Sequence, residues 1–215
     1  MIGIFHSDTW DLFIRVIGHS DYLGGGFAMN LLISVVSMGL GTLIGITLGR
    51  MRHAGVRFLE LPSRFATSIC RNVPSFVLLF YMASMIPSEV TIAEMIYPVP
   101  LWIKATLALT FPVIGFSSDQ SLGYFRQRDD GHNQASETFM VAWVQYFLII
   151  IMASATASII GADEIVGRAN TLIATQGENG LMIGVYLYVS AWFILTGLVL
   201  TSLIKYMSKR FSKAS

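Results

Sequence analysis

Five long apolar stretches separated by short charged loops constrain this chain to a bundle of helices threading a membrane. A helix needs about 20 apolar residues to cross a bilayer, since each residue adds only about 1.5 Å. Residues 26–49, 65–86, 101–117, 138–160 and 181–204 come close to that length. The third is the shortest, and Pro112 is expected to bend it. With 54% hydrophobic and 13% charged residues, the composition is too apolar for a soluble domain. The expected class is all-α and polytopic. An amphipathic segment over residues 1–25 precedes a five-helix transmembrane unit over 26–205 and a basic tail over 206–215.

The basic residues give this weave a direction. Arg50, Arg52, Arg57 and Arg64 lie between the first two stretches, Arg126 and Arg128 between the third and fourth. Lys205, Lys209, Arg210 and Lys213 follow the fifth. The other side has only Arg15, Lys104 and Arg168, with Arg71 inside the second stretch. Under the positive-inside rule the expected N-terminus is outside and the C-terminus cytoplasmic.

The first 25 residues do not read as a secretory signal, because Asp8 and Asp11 interrupt any apolar run. Trp10, Phe13, Ile14 and Ile17 recur at helical spacing, as in a helix lying along the outer interface. Asp21-Tyr-Leu-Gly-Gly-Gly is expected to break the chain before the first span. The outer loop over residues 161–180 has room for one short helix.

Gly41, Gly45 and Gly49 form a small-residue stripe suited to close helix packing, within the chain or against another subunit. Trp143, with Tyr97, Trp102 and Tyr206, reads as an interfacial anchor. Asn30, Gln145, Ser154, Thr156 and Ser158 are candidates for a polar cleft or for local bonds to their own helices. Asp119 is placed to pair with Arg71 or Arg126. Cys70 reads as a small buried apolar residue.

A net charge of +1 leaves no nucleic-acid footprint. His6, His19, His53 and His132 lack metal-ligand spacing, and no catalytic or cofactor-binding constellation is visible. We expect neither an enzyme nor a bound cofactor.

Three segments carry a family resemblance. Gly26-Phe-Ala-Met-Asn30-Leu stands where a G-x-x-x-T-L opening would, with Asn30 for threonine. Arg71-Asn72-Val73-Pro74 and the apolar run after it match an R-[GN]-[TV]-P signature. Ser158-Ile-Ile-Gly161-Ala-Asp-Glu164 is similar to an S-x-I-G-x-x-E segment. In this order they resemble the membrane permease subunits of ATP-driven (ABC) importers for polar amino acids. That resemblance covers nearly the whole chain.

In that family the cytoplasmic loop before the fourth span carries the EAA motif, a pair of short helices that seat in the ATPase. Here Asp119 falls on the glutamate of its first tetrad and Gly123 on a glycine, with Leu122 for the arginine. Gly131, Gln134, Ala135 and Ser136 fall on G-Q-x-E-A-A, so a glutamine replaces the glutamate. About twenty residues that should follow are absent, and Met152 stands where a lysine is frequent. The resemblance implies a bacterial inner-membrane location and a second membrane subunit beside this one. It also implies an ATPase and a periplasmic binding protein as partners. The shortened loop opens the alternative of a permease scaffold reused in another membrane complex.

Overall fold

The computed structural model describes residues 14–92, 94–176 and 181–212. Helix α1 (Ser20–His53) is about 51 Å long at 1.5 Å per residue, more than a hydrocarbon core requires. Helices α2 (Arg57–Asn72) and α3 (Ser75–Met85) lead to a hairpin of β1 (Glu89–Ile92) and β2 (Met95–Pro98). Helix α4 (Leu101–Asp129) turns back into α5 (Ala135–Ser154), which tightens into a 3-10 turn over Ala155–Ile160. Helix α6 (Ile165–Gln176) precedes α7 (Leu181–Ser212).

Helices α1, α4, α5 with its 3-10 extension, and α7 are each long and apolar enough to span a membrane. The second expected span, residues 65–86, is not a single rod. Helices α2 and α3 meet there at 95°, and only together do they satisfy the criteria for a span. Pro74 supplies no N–H and disfavours helical backbone at the residue before it, so Val73 is extended (φ −79°, ψ 122°). The Arg71–Pro74 signature is therefore a helix break.

Two other expectations need correction. Asp21 to Gly26 does not interrupt the chain, because α1 runs through it and the turn falls at His19 instead. A Cβ on Gly26 would lie 2.7 Å from Ile165 Cα, so that glycine serves the close approach of α6. The third span is not the shortest: α4 continues through Pro112 to Asp129. Its hydropathy drops at Ser117, Ser118 and Ser121, yet these small polar residues are buried within the fold. The β1–β2 hairpin, with Glu94 at positive φ, had no expected counterpart.

Residues 14–18 are helical, while Trp10 and Phe13 lie outside the described residues. In this segment Val16 is the buried residue, 1% exposed, packed with Leu23, Ile165 and Val185. Ile14 and Ile17 face outwards instead.

The core is built on the α1–α4 pair. Val113, Ser117 and Ser121 recur every four residues on α4, opposite Gly41, Gly45 and Gly49 on α1. A Cβ on Gly41 or Gly45 would fall 2.5 Å from the Cβ of Val113 or Ser117, and on Gly49 2.7 Å from that of Ser121. The glycine stripe thus meets a helix of its own chain. Where lipid removes the hydrophobic drive, such contact lets dispersion and short polar bonds hold two helices together. Trp143 joins this core, donating from Nε1 to Thr42 Oγ1 at 2.9 Å, rather than sitting at an interface.

Candidate functional site: two polar nodes and the arginine-rich turn

Among the described residues the buried polar side chains gather into a few nodes. Near one end, Asn30 on α1 is fully buried among apolar neighbours. Its Nδ2 donates to Ser154 Oγ and to Glu164 Oε2, both at 2.9 Å. Its Oδ1 accepts from the Ile165 backbone N–H at 3.0 Å. Glu164 caps α6, its oxygens accepting from Val166 N at 3.0 Å and Gly167 N at 2.8 Å. A carboxylate there meets the orphan N–H groups and the positive end of the helix dipole. Burial nevertheless raises the Glu164 pKa above the usual carboxylate range, outweighing those bonds.

Beside this node Arg168 makes a two-pronged contact with Asp163 and donates to the Tyr22 carbonyl at 2.7 Å. The last turn of α3 ends on a buried lysine. Lys104 Nζ donates to the Ile86 carbonyl at 2.7 Å and that of Ala83 at 3.3 Å. A cation at a helix C-terminus satisfies orphan carbonyls and the dipole together.

At the opposite, arginine-rich end, Asp119 on α4 bridges two helices. Its carboxylate accepts from Arg52 on α1 at 2.7 Å and from Arg71 on α2 at 3.0 Å. Arg52 also donates to Ser118 Oγ, which is hydrogen-bonded to Thr67 on α2. This bond network fixes the amphipathic helix α2 across the ends of α1 and α4. Gly115 lets the backbone at Arg71 approach, since a Cβ there would lie 2.9 Å from Arg71 N. Asn72 bonds within its own helix, to Ser68 Oγ at 3.1 Å.

The remaining residues matched to the EAA motif do not form a separate loop. Gly123, like Asp119, lies inside α4. Gly131 takes φ +76° and ends that helix: its N–H reaches the Arg128 carbonyl and that of His132 the Gln127 carbonyl. Those paired bonds make a Schellman turn, whose left-handed position suits glycine. Gln134 is the N-cap residue of α5, followed by Ala135 and Ser136 in its first turn. A turn over residues 130–134 thus joins two antiparallel helices, with no transverse helix between them.

Of the intramembrane hydroxyls, Thr156 and Ser158 bond back to carbonyls three residues earlier. Ser154 does so as well, while receiving Asn30. Two of those candidates line clefts: Gln145 one between α5 and α7, where Ser208 donates to Glu137 at 2.9 Å, and Ser158 one beside Asp163 and Asn170.

The backbone as a whole matches two solved transporters. An amino acid ABC transporter solved with histidines superposes with a TM-score of 0.75, covering 92% of this chain and 98% of that one. The methionine ABC transporter MetNI, in inward-facing conformations, gives 0.63 over 88% of this chain and 98% of its own. The chain has the fold of an ABC importer permease subunit. Identity is 16% in both cases, so what is shared is the permease fold. No protein-family model matches the sequence, and no curated protein matches it either.

Within the permease fold, two of the three motif segments come together: Asn30 of the first span and Glu164 of the S-x-I-G-x-x-E segment share a hydrogen bond. The sequence signal for this pair was an amide inside an apolar helix, which in lipid must find a partner. Lys104 had no such signal, because only the end of α3 defines its acceptors.

Proposed function

We propose that this chain is a permease-like subunit of a multi-pass inner-membrane assembly, related to importers of polar amino acids. It pairs with a second membrane subunit, and solute crosses at the interface between them. Its arginine-rich end faces the cytoplasm, in accord with the excess of Lys and Arg there. The observation carrying this reading is the permease fold over nine-tenths of the chain. A partner ATPase meets the α4–α5 hairpin at that end, and a periplasmic binding protein the opposite face.

A second reading has its own support. The turn over residues 130–134 offers little surface to an ATPase, and Asp119, matched to a motif glutamate, is committed to Arg52 and Arg71. Coupling needs a contiguous element that both sites can bias. A hairpin tip without transverse helices suits a permease scaffold retained as a structural or assembly subunit of another membrane complex.

Purification of the full chain in mild detergent separates these readings. A nucleotide-binding subunit recovered in stoichiometric amount supports ATP-driven transport and excludes the scaffold role. Its absence, with some other membrane assembly retained, has the opposite meaning. Grafting a full two-helix EAA segment into the 130–134 turn raises ATPase association if the shortened turn alone limits docking.

A further inference from the structure

At the arginine-rich end, α1, α4 and α5 line an open pocket of about 250 Å³. Its lining mixes polar groups, Arg50, Ser121, Tyr124 and Ser136, with the apolar Ile46, Phe139 and Met140. Ser121 is 1% exposed, and its Oγ has no hydrogen-bond partner among the described residues. A buried hydroxyl left unpaired is costly, so a ligand acceptor or donor there is favoured.

Arg50 is the other open group. Arg52 pairs with Asp119 and His53 with Asp129, but Arg50 forms no ion pair among the described residues. Its guanidinium lies 5.8 Å from the centre of the Phe125 ring. Arg128 adds positive charge beside it, donating to Tyr124 Oη at 3.3 Å.

The apolar side continues. Phe139 and Met140 also line a second groove, of about 320 Å³, with Trp143 and Val144. From Ser136 to Val144 the helix rises about 12 Å, the length of a substantial part of an acyl chain. A cationic, hydroxyl-bearing head site thus opens onto an apolar channel running along a membrane helix.

We propose that this groove holds one anionic phospholipid, its phosphate at Arg50 and Ser121 and an acyl chain along α5 past Met140 and Trp143. Free phosphate would account for the cation but not for the apolar extension. A second copy of this chain would bring its own arginine-rich end against Arg50, and like charges oppose that. Basic pockets between membrane helices favour anionic headgroups for the same electrostatic reason.

The test uses the full chain, stripped of lipid in detergent and returned to phosphatidylcholine vesicles containing bromine-tailed phosphatidylglycerol. Native mass spectrometry counts lipid retained after re-extraction, and Trp143 fluorescence, read with Trp10, Trp102 and Trp192 replaced by Phe, reports bromine in the groove. Phosphatidylglycerol should be retained and should quench Trp143 more than bromine-tailed phosphatidylcholine does. Arg50→Gln should lower retention about fivefold, the factor one arginine supplies near an anionic surface, while Lys209→Gln should not. Val144→Trp should block the tail and reduce retention with the head site intact. Equal retention of both lipids overturns the proposal, as does equal loss in the two charge variants. Protection by inorganic phosphate alone, or a dimer contact over Trp143 without lipid, overturns it too. If Arg50→Gln does not fold, the preference of the unmodified chain between the two brominated lipids decides alone.

Discussion

The Asn30 amide donates to Glu164 at 2.9 Å across 134 residues of sequence, and both side chains are fully buried. This contact ties the first span to the cap of α6. Replacing Asn30 by Ala strands the Ile165 N–H and removes one donor from Glu164. Loss of about 2–4 kcal/mol is expected for such a buried network. Asn30→Thr, the residue the importer pattern carries, should cost less, because a hydroxyl retains one bond. Thermal unfolding in detergent measures both, and equal stabilities would show the node to be dispensable.

Glu164 predicts a pH dependence. A carboxyl whose folded pKa is raised contributes stability that is full below its unfolded pKa and lost as pH climbs through the folded one. Burial raises the Glu164 value, so stability should fall with rising pH in the window just above the ordinary glutamate range. Glu164→Gln should flatten that slope. An unchanged slope in the variant would assign the titration elsewhere.

The glycine stripe offers a paired test. A Cβ at Gly45 would approach Ser117 Cβ to 2.5 Å and the Ile114 carbonyl to 2.8 Å, and backbone cannot give way cheaply. Gly45→Ala should cost about 1–3 kcal/mol, as overpacking does. Gly39, on the same helix, has nothing within 4 Å. Gly39→Ala should be neutral or gain up to about 1 kcal/mol from helix propensity.

Asp119 holds two arginines of unequal burial. The Arg52 side chain is 14% exposed and that of Arg71 60%. Arg52→Ala should therefore cost about 2–3 kcal/mol, the range for a shielded charged bond. Arg71→Ala should cost no more than about 1 kcal/mol, as solvent-screened pairs do. A double-mutant cycle with Asp119→Asn compares the two couplings, and an Arg71 coupling equal to that of Arg52 would contradict this ranking.

Lys104 closes the end of α3. Lys104→Ala leaves the Ile86 and Ala83 carbonyls unpaired and opens a void, a loss of about 2–4 kcal/mol. Hydrogen exchange should rise in α3 before it rises in α1. Lys104→Gln keeps a donor and should preserve most of that protection.

Much of the architecture was legible because lipid is a harsh solvent. Long runs of apolar residues have few stable outcomes besides helices, and residues 26–49 and 181–204 fall within α1 and α7. Residues 161–180 do contain a helix, α6, as their composition allowed. Reading failed where hydropathy and helix part company. At Ser117 to Ser121 polarity suggested a span's end, whereas burial against glycines carries the helix on to Asp129. At Val73–Pro74 continuous hydropathy suggested one rod, whereas proline stereochemistry makes two.

By itself the sequence determined the environment and the sparing use of charge, because transfer free energies act residue by residue and need no knowledge of neighbours. The tertiary structure decided which polar groups meet: Asn30 with Glu164, Lys104 with the end of α3, and Arg52 with Asp119. Those pairings depend on distances of a few ångströms between segments far apart in the chain, and no local pattern encodes them.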